Sequence, residues 1–174
     1  MKKITILLIV LSLFAVFCIA CGQAPEAEDN TGLPNPLKET DAEGIMQKLG
    51  LEFGIPEGAG EVSYYIINDE TAEMRFTMDA TKFTARIKPS AEFEDISGMY
   101  YDWTATNDTW KVQHCDARTM SYISKTEDDA MVTMWYDAAP GLMYSLSAAG
   151  NDLNGLDLPV LADQIYIPTQ GNAG

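Results

Sequence analysis

Histidine occurs once in this chain, as His114, and cysteine three times, as Cys18, Cys21 and Cys115. So small a supply leaves little for a zinc centre, which takes several His or Cys ligands, and His114 and Cys115 are adjacent. A serine hydrolase is equally poorly served. There is no Gly-x-Ser-x-Gly elbow, and a serine would have a single histidine to draw on. Basic residues are scarce too, with 11 Lys and Arg against 26 Asp and Glu, a net charge of -15. Nucleic-acid binding needs a positive surface, so this balance excludes it. Long apolar runs are absent except at the start, from Ile4 to Ala20.

That run is the most informative stretch. Lys2 and Lys3 precede it, and it ends in Cys18-Ile19-Ala20-Cys21-Gly22. The pattern is a secretory leader with a cysteine where a lipoprotein signal peptidase would cut. Ala20 and Ile19 favour this reading, whereas Cys18 stands where such motifs usually carry leucine. A plain cleaved signal and an uncleaved anchor are the alternatives, and the run is at the bottom of the spanning range. On the lipoprotein reading residues 1–20 are the signal peptide and Cys21 is the lipidated N-terminus. Two or three acyl chains hold a protein stably where one does not. Loss of Lys2 and Lys3 leaves nine basic against 26 acidic residues, a net charge of -17. Anionic headgroups repel such a chain, so the lipid at Cys21 does the anchoring. Cys115 is then the sole remaining thiol. A disulfide-stapled scaffold is excluded, and 47% hydrophobic residues must supply the core.

Residues 21–36 contain Pro25, Pro34, Pro36 and acidic residues without apolar period, which reads as a tether. A single domain over 37–168 and a tail over 169–174 follow. Thr40 and Glu43 make a capping box for a first helix, with Ile45, Met46 and Leu49 on one face and Gly50 as its stop. From Glu61 the period falls to two. Met74, Phe76 and Met78, then Phe83, Ala85 and Ile87, predict a hairpin with one wet face. Further strands are expected over 62–67, 109–115, 119–124, 131–136 and 142–147. Asp157 caps a second helix with Pro159 in its first turn, a stripe of Val160, Leu161 and Ile165, and Pro168 beyond it. The expected fold is α+β, a curved antiparallel sheet of about seven strands with an N-terminal and a C-terminal helix packed on one face.

Chemistry-bearing residues are few. In a strand His114 and Cys115 would point to opposite faces, so a thiol–imidazole pair is not expected. The acidic groups Glu92–Asp95, Glu127–Asp129 and Asp152–Asp157 lack EF-hand spacing and read as solvated turns. Met99, Tyr100, Tyr101, Trp103 and Trp110 crowd together around Gly98. They either pin a long loop to the sheet or form a ligand patch, with Tyr100, Tyr101 and Trp103 as contacts. No catalytic residue, metal ligand or cofactor is expected.

Gly141-Leu142-Met143-Tyr144-Ser145-Leu146-Ser147 and then Leu161-Ala162-Asp163-Gln164-Ile165 resemble the end of a bacterial domain-of-unknown-function family. That family occurs in lipoproteins and in anti-sigma-type ectodomains, with a glycine, a Tyr-x-Leu strand and a short helix. Leu49 through Arg86 is similar to an uncharacterised lipoprotein group of anaerobic gut bacteria. The resemblance supplies no catalytic residues, and its likeness to lipoprotein-carrier folds concerns fold alone. The expectation is a membrane-anchored extracytoplasmic lipoprotein, a non-catalytic binding or interaction module. A carboxylate-based envelope enzyme is the alternative.

Overall fold

The computed structural model describes residues 36–168. The leader, Cys21, the tether up to Asn35 and the tail lie outside the described residues. Eight strands and two short helices follow one another as β1 (Leu37–Thr40), α1 (Ala42–Leu49), β2 (Gly60–Ile67), β3 (Thr71–Met78), β4 (Thr81–Pro89), β5 (Ala105–Val112), β6 (Cys115–Tyr122), β7 (Asp129–Asp137), β8 (Leu142–Gly150) and α2 (Leu158–Ile165). The architecture is α+β, with eight strands rather than seven. The additional strand is β1, four residues long and paired with β2 from Leu37↔Ile67 to Thr40↔Tyr64. A strand so short carries too few alternations to register as a period.

All pairings are antiparallel, and the sheet is open with the order β1-β2-β3-β4-β8-β7-β6-β5. Two four-strand meanders therefore lie side by side, joined where β4 pairs with β8 from Lys82↔Ala149 to Pro89↔Leu142. The hairpin β3–β4 turns on Asp79 and Ala80, both at positive φ, the backbone that a two-residue turn of matching twist requires.

Side-chain alternation sorts the sheet into two faces. Met74, Phe76, Phe83, Ala85, Ile87, Tyr144, Leu146 and Trp135 point to one of them and build the main core with Ile45 of α1 and Leu158, Leu161, Ala162 and Ile165 of α2. Both helices thus cover the same face, as expected. Their details differ from the sequence reading. The cap of α1 is Asp41, whose carboxylate accepts from Gly44 N–H at 2.7 Å, because Thr40 is already committed to β1. Glu43 instead accepts from Gln47 one turn on. Met46 and Val160, expected in the core, are exposed. The buried stripe of α2 starts at Leu158, which puts Val160 on the outer side. The close approach of α2 to the loop after α1 demands glycine at position 54. Its N–H donates to Ile165 O at 2.8 Å, and a Cβ there would collide with Gln164 O.

The other face has no helix. Val132, Met134 and Met143 form a smaller core there, covered by Ile96, Met99 and Trp103 of the long β4–β5 connection. An ion cluster on this face fixes that loop. Glu73, with no side-chain exposure, accepts from Arg75 Nε at 2.6 Å and from Arg86 Nε at 2.7 Å. Arg86 Nη1 reaches on to Ile96 O at 3.0 Å. Gly98 passes so close over the guanidinium that a Cβ would strike it. Among the described residues no helix is long and apolar enough to cross a membrane.

Two consequences are measurable. Arg86→Met strands half of a buried carboxylate and unpins the loop, and should lower stability by about 3 kcal/mol in urea unfolding. At the surface, Lys38 and Lys48 both pair with Asp69 in the β2–β3 turn, tying β1 and α1 to it. The hydrogen bonds and charges of Lys38 and Lys48 lower the Asp69 carboxyl from 3.8 to about 2. A carboxylate lowered in the folded state stabilises above its unfolded pKa and ceases to do so as pH falls through the folded value. The urea midpoint of the wild type should therefore exceed that of Asp69→Asn at pH 6, and the gap should narrow between pH 4 and pH 2. The gap is small at this exposure and shrinks in salt.

Candidate functional site

At one end of the helix-covered face the β5–β6 turn, the end of β7 and the end of α2 converge. The turn is Gln113-His114, between the paired residues Val112 and Cys115. This differs from the expected strand 109–115, because neither residue is a usual turn former. Gln113 takes φ 49 and is held from outside: its N–H donates to Asp163 Oδ1 at 2.8 Å and its side-chain amide to Tyr166 O at 3.4 Å. With His114 in a turn, strand alternation no longer separates it from Cys115. The imidazole nitrogen, the Cys115 sulfur and an Asp137 oxygen lie within 4.8 Å of one another. The expectation that these neighbours could not meet is thus corrected.

Asp137 is 4% exposed and ends β7. Its Oδ2 accepts from Tyr166 Oη at 2.5 Å, and its Oδ1 accepts from Ala139 N–H at 3.2 Å and faces His114 Nε2 at 3.8 Å. Cys115 Sγ lies 3.8 Å from Tyr166 Oη. Aromatic rings wall the corner: Trp135 stacks on Tyr144 at 5.1 Å, and Tyr166 meets Tyr144 edge-on at 5.2 Å. Burial pushes the hydroxyls of Tyr144 and Tyr166 up, and the hydrogen bond to Asp137 raises Tyr166 further, so both stay protonated and Tyr166 remains the donor to Asp137. Burial also pushes the Cys115 thiol up, against the opposing pull of the Tyr166 hydroxyl.

A second concavity lies on the same face, toward the β5 edge. It encloses about 530 Å³ between β5, β6, β7 and the residues leading into α2. Trp110, 42% exposed, stands over it with Asn107, Thr119, Ser121 and Pro159. A register shift between Asn107 and Trp110 turns the edge strand at this point. A third, of about 270 Å³, lies between α1 and the residues after α2, lined by Met46, Leu51, Ile87, Leu142, Ile167 and Tyr144.

The expected aromatic patch is divided by the fold. Tyr100 is 96% exposed, whereas Tyr101 and Trp103 are half-buried, with rings 5.5 Å apart, and Tyr101 also meets Tyr122. Trp103 packs on the smaller core, on the face opposite to Trp110. None of the three lines the concavities just described. Among the acidic turns, Asp129 departs from its solvated reading. It is buried and accepts from Ser124 N–H at 2.9 Å and Leu153 N–H at 3.2 Å, tying the β6–β7 turn to the loop before α2. Asp95 and Asp157 are spent on Ser97 and on the α2 cap. Trp110 belongs to the aromatic stretch read from the sequence but was not among its expected contacts, and no sequence signal marked Tyr166 or Asp137.

Comparison with protein-family models, with curated proteins and with solved structures finds no match at a significant level. The choice of a ligand site therefore rests on geometry.

Tyr166→Phe removes the hydroxyl that satisfies a buried carboxylate. It should cost about 1–3 kcal/mol in urea unfolding, the penalty of an unpaired buried acceptor. A shift within error at pH 7 would mean that water replaces the hydroxyl.

Proposed function

We propose that the chain is a lipid-anchored extracytoplasmic binding module, held to the membrane through Cys21, of the uncharacterised lipoprotein kind that its C-terminal stretch resembles. Its ligand is a neutral, hydroxyl-rich molecule of the saccharide class. The observation that carries this reading is the concavity beside Trp110. An exposed indole supplies a stacking surface, and Asn107, Thr119 and Ser121 place amide and hydroxyl groups beside it. Thr119 and Thr133 already bond each other at 2.9 Å, which fixes that wall. Beginning at Cys21 the chain carries nine basic against 26 acidic residues, a net charge of -17 that disfavours anionic ligands at such a site. In this reading Tyr101 and Trp103 dock the β4–β5 loop. The enzyme alternative has less support: Glu73, Asp129 and Asp137, the buried carboxylates, are each engaged in hydrogen bonds within the fold.

The test is a tryptophan-fluorescence titration of the full chain with the neutral oligosaccharides cellotetraose and chitotetraose. A saturable change that is lost in Trp110→Ala and kept in Tyr100→Ala is expected. No saturable change with either sugar, or an unaltered response in Trp110→Ala, overturns the reading. Anchoring is read separately, by metabolic fatty-acid labelling that should disappear in Cys21→Ala.

A further inference from the structure

Buried carboxylates in this protein are compensated in three different ways. Glu73 has two guanidinium partners, and Asp129 has two backbone N–H donors. Asp137 has one hydroxyl, one backbone N–H and no lysine or arginine among the described residues. The basic side chain that faces it is the His114 imidazole, with Nε2 at 3.8 Å. A buried charge is ordinarily paired or bound to a metal. Beside Asp137 stand the two side chains best suited to bind one, an imidazole and a thiol, with all three ligand atoms within 4.8 Å.

We propose that His114, Cys115 and Asp137 form a binding site for a divalent cation of the zinc class. The donor set decides the class. Sulfur and imidazole nitrogen suit zinc and its neighbours, whereas magnesium and calcium take oxygen. A tetrahedral zinc with such ligands places them on the order of 3.5 Å apart, so the three atoms need close by about 1 Å through side-chain rotation. The elements that carry them are fixed. Asp163 and Tyr166 clamp the β5–β6 turn, and Asp137 is held at the end of β7. Tyr166 orients the carboxylate from behind by donating to Oδ2, which leaves Oδ1 toward the imidazole. This is the supporting hydrogen bond that metal-binding carboxylates commonly receive. A thiolate and a carboxylate together balance the cation's two charges. His114, 63% exposed, marks the entry side, and Cys115 and Asp137 form the buried floor. Three protein ligands leave a fourth position on the open side. The inference is independent of the concavity beside Trp110.

Cobalt(II) tests it, since a cobalt–thiolate bond absorbs in the near ultraviolet. The protein is the full chain in detergent carrying Cys18→Ser and Cys21→Ser, so that Cys115 is the one thiol, kept reduced. One equivalent of cobalt should give thiolate-to-metal absorption together with intense tetrahedral visible bands, both displaced by zinc. Cys115→Ser should abolish the near-ultraviolet absorption. His114→Ala, in an exposed turn, should weaken cobalt binding by more than about tenfold in a variant whose urea midpoint shows that it is folded. The absence of thiolate absorption, or a cobalt affinity unchanged in His114→Ala, overturns the site. That result would assign any residual binding to the acidic surface.

Discussion

A carboxylate removed from water must be neutralised, and in this fold one such group organises a whole face of the sheet. Glu73 sits in β3 with no exposure, between Arg75 of its own strand and Arg86 of the next. The energy of such a cluster comes from its completeness, since each missing partner leaves a charge in a poor dielectric. Arg86 carries the constraint outward, because its Nη1 donates to Ile96 O and so directs the long β4–β5 connection across the sheet. That connection covers Val132, Met134 and Met143, which two short helices on the far side could not reach. The patch of Val132, Met134 and Met143 on the helix-free face is covered because of this charge cluster, and the positions of the loop aromatics Tyr101 and Trp103 follow from the loop's path.

Much of the fold was legible in the sequence, for identifiable reasons. The β3–β4 hairpin alternates strictly through Met74, Phe76 and Met78 and back through Phe83, Ala85 and Ile87, and the structure pairs Phe76 with Phe83. Both helices announce themselves by a cap and a short apolar stripe. Asp157 caps α2 as expected, the cap of α1 lies one position on at Asp41, and each stripe includes one residue, Met46 or Val160, that the structure exposes. Capping residues come in runs, and only the neighbouring strand decides which of Thr40 and Asp41 is free to cap. What alternation could not reveal was a four-residue edge strand, or a turn built from Gln113 and His114 that relies on α2 for its hydrogen bonds. A turn stabilised from a distance has no local signature.

The candidate site was hidden for the same reason. Its members come from the β5–β6 turn, the end of β7 and the end of α2, and nothing in the spacing of 114, 115, 137 and 166 implies their meeting. The alternation rule argued against the His114–Cys115 pair because it presumed both residues to be in one strand. Asp137 and Asp129 were hidden among many acidic turn residues. Burial alone separates them, and burial belongs to the tertiary structure.

The strand order has a kinetic corollary. Within β1–β4 and within β5–β8 each strand pairs with its neighbour in sequence, apart from the α1 interruption, so loop closure there is entropically cheap. The seam between β4 and β8 joins segments separated by the whole second meander. Zipping that seam completes the core, because Ile87 and Tyr144 pair across it and the helix-covered cluster spans both halves. Each half alone exposes a long unpaired edge at β4 or β8, the kind of edge that recruits another chain. The pairing that spans the longest stretch of chain is thus also the one that covers both of these edges.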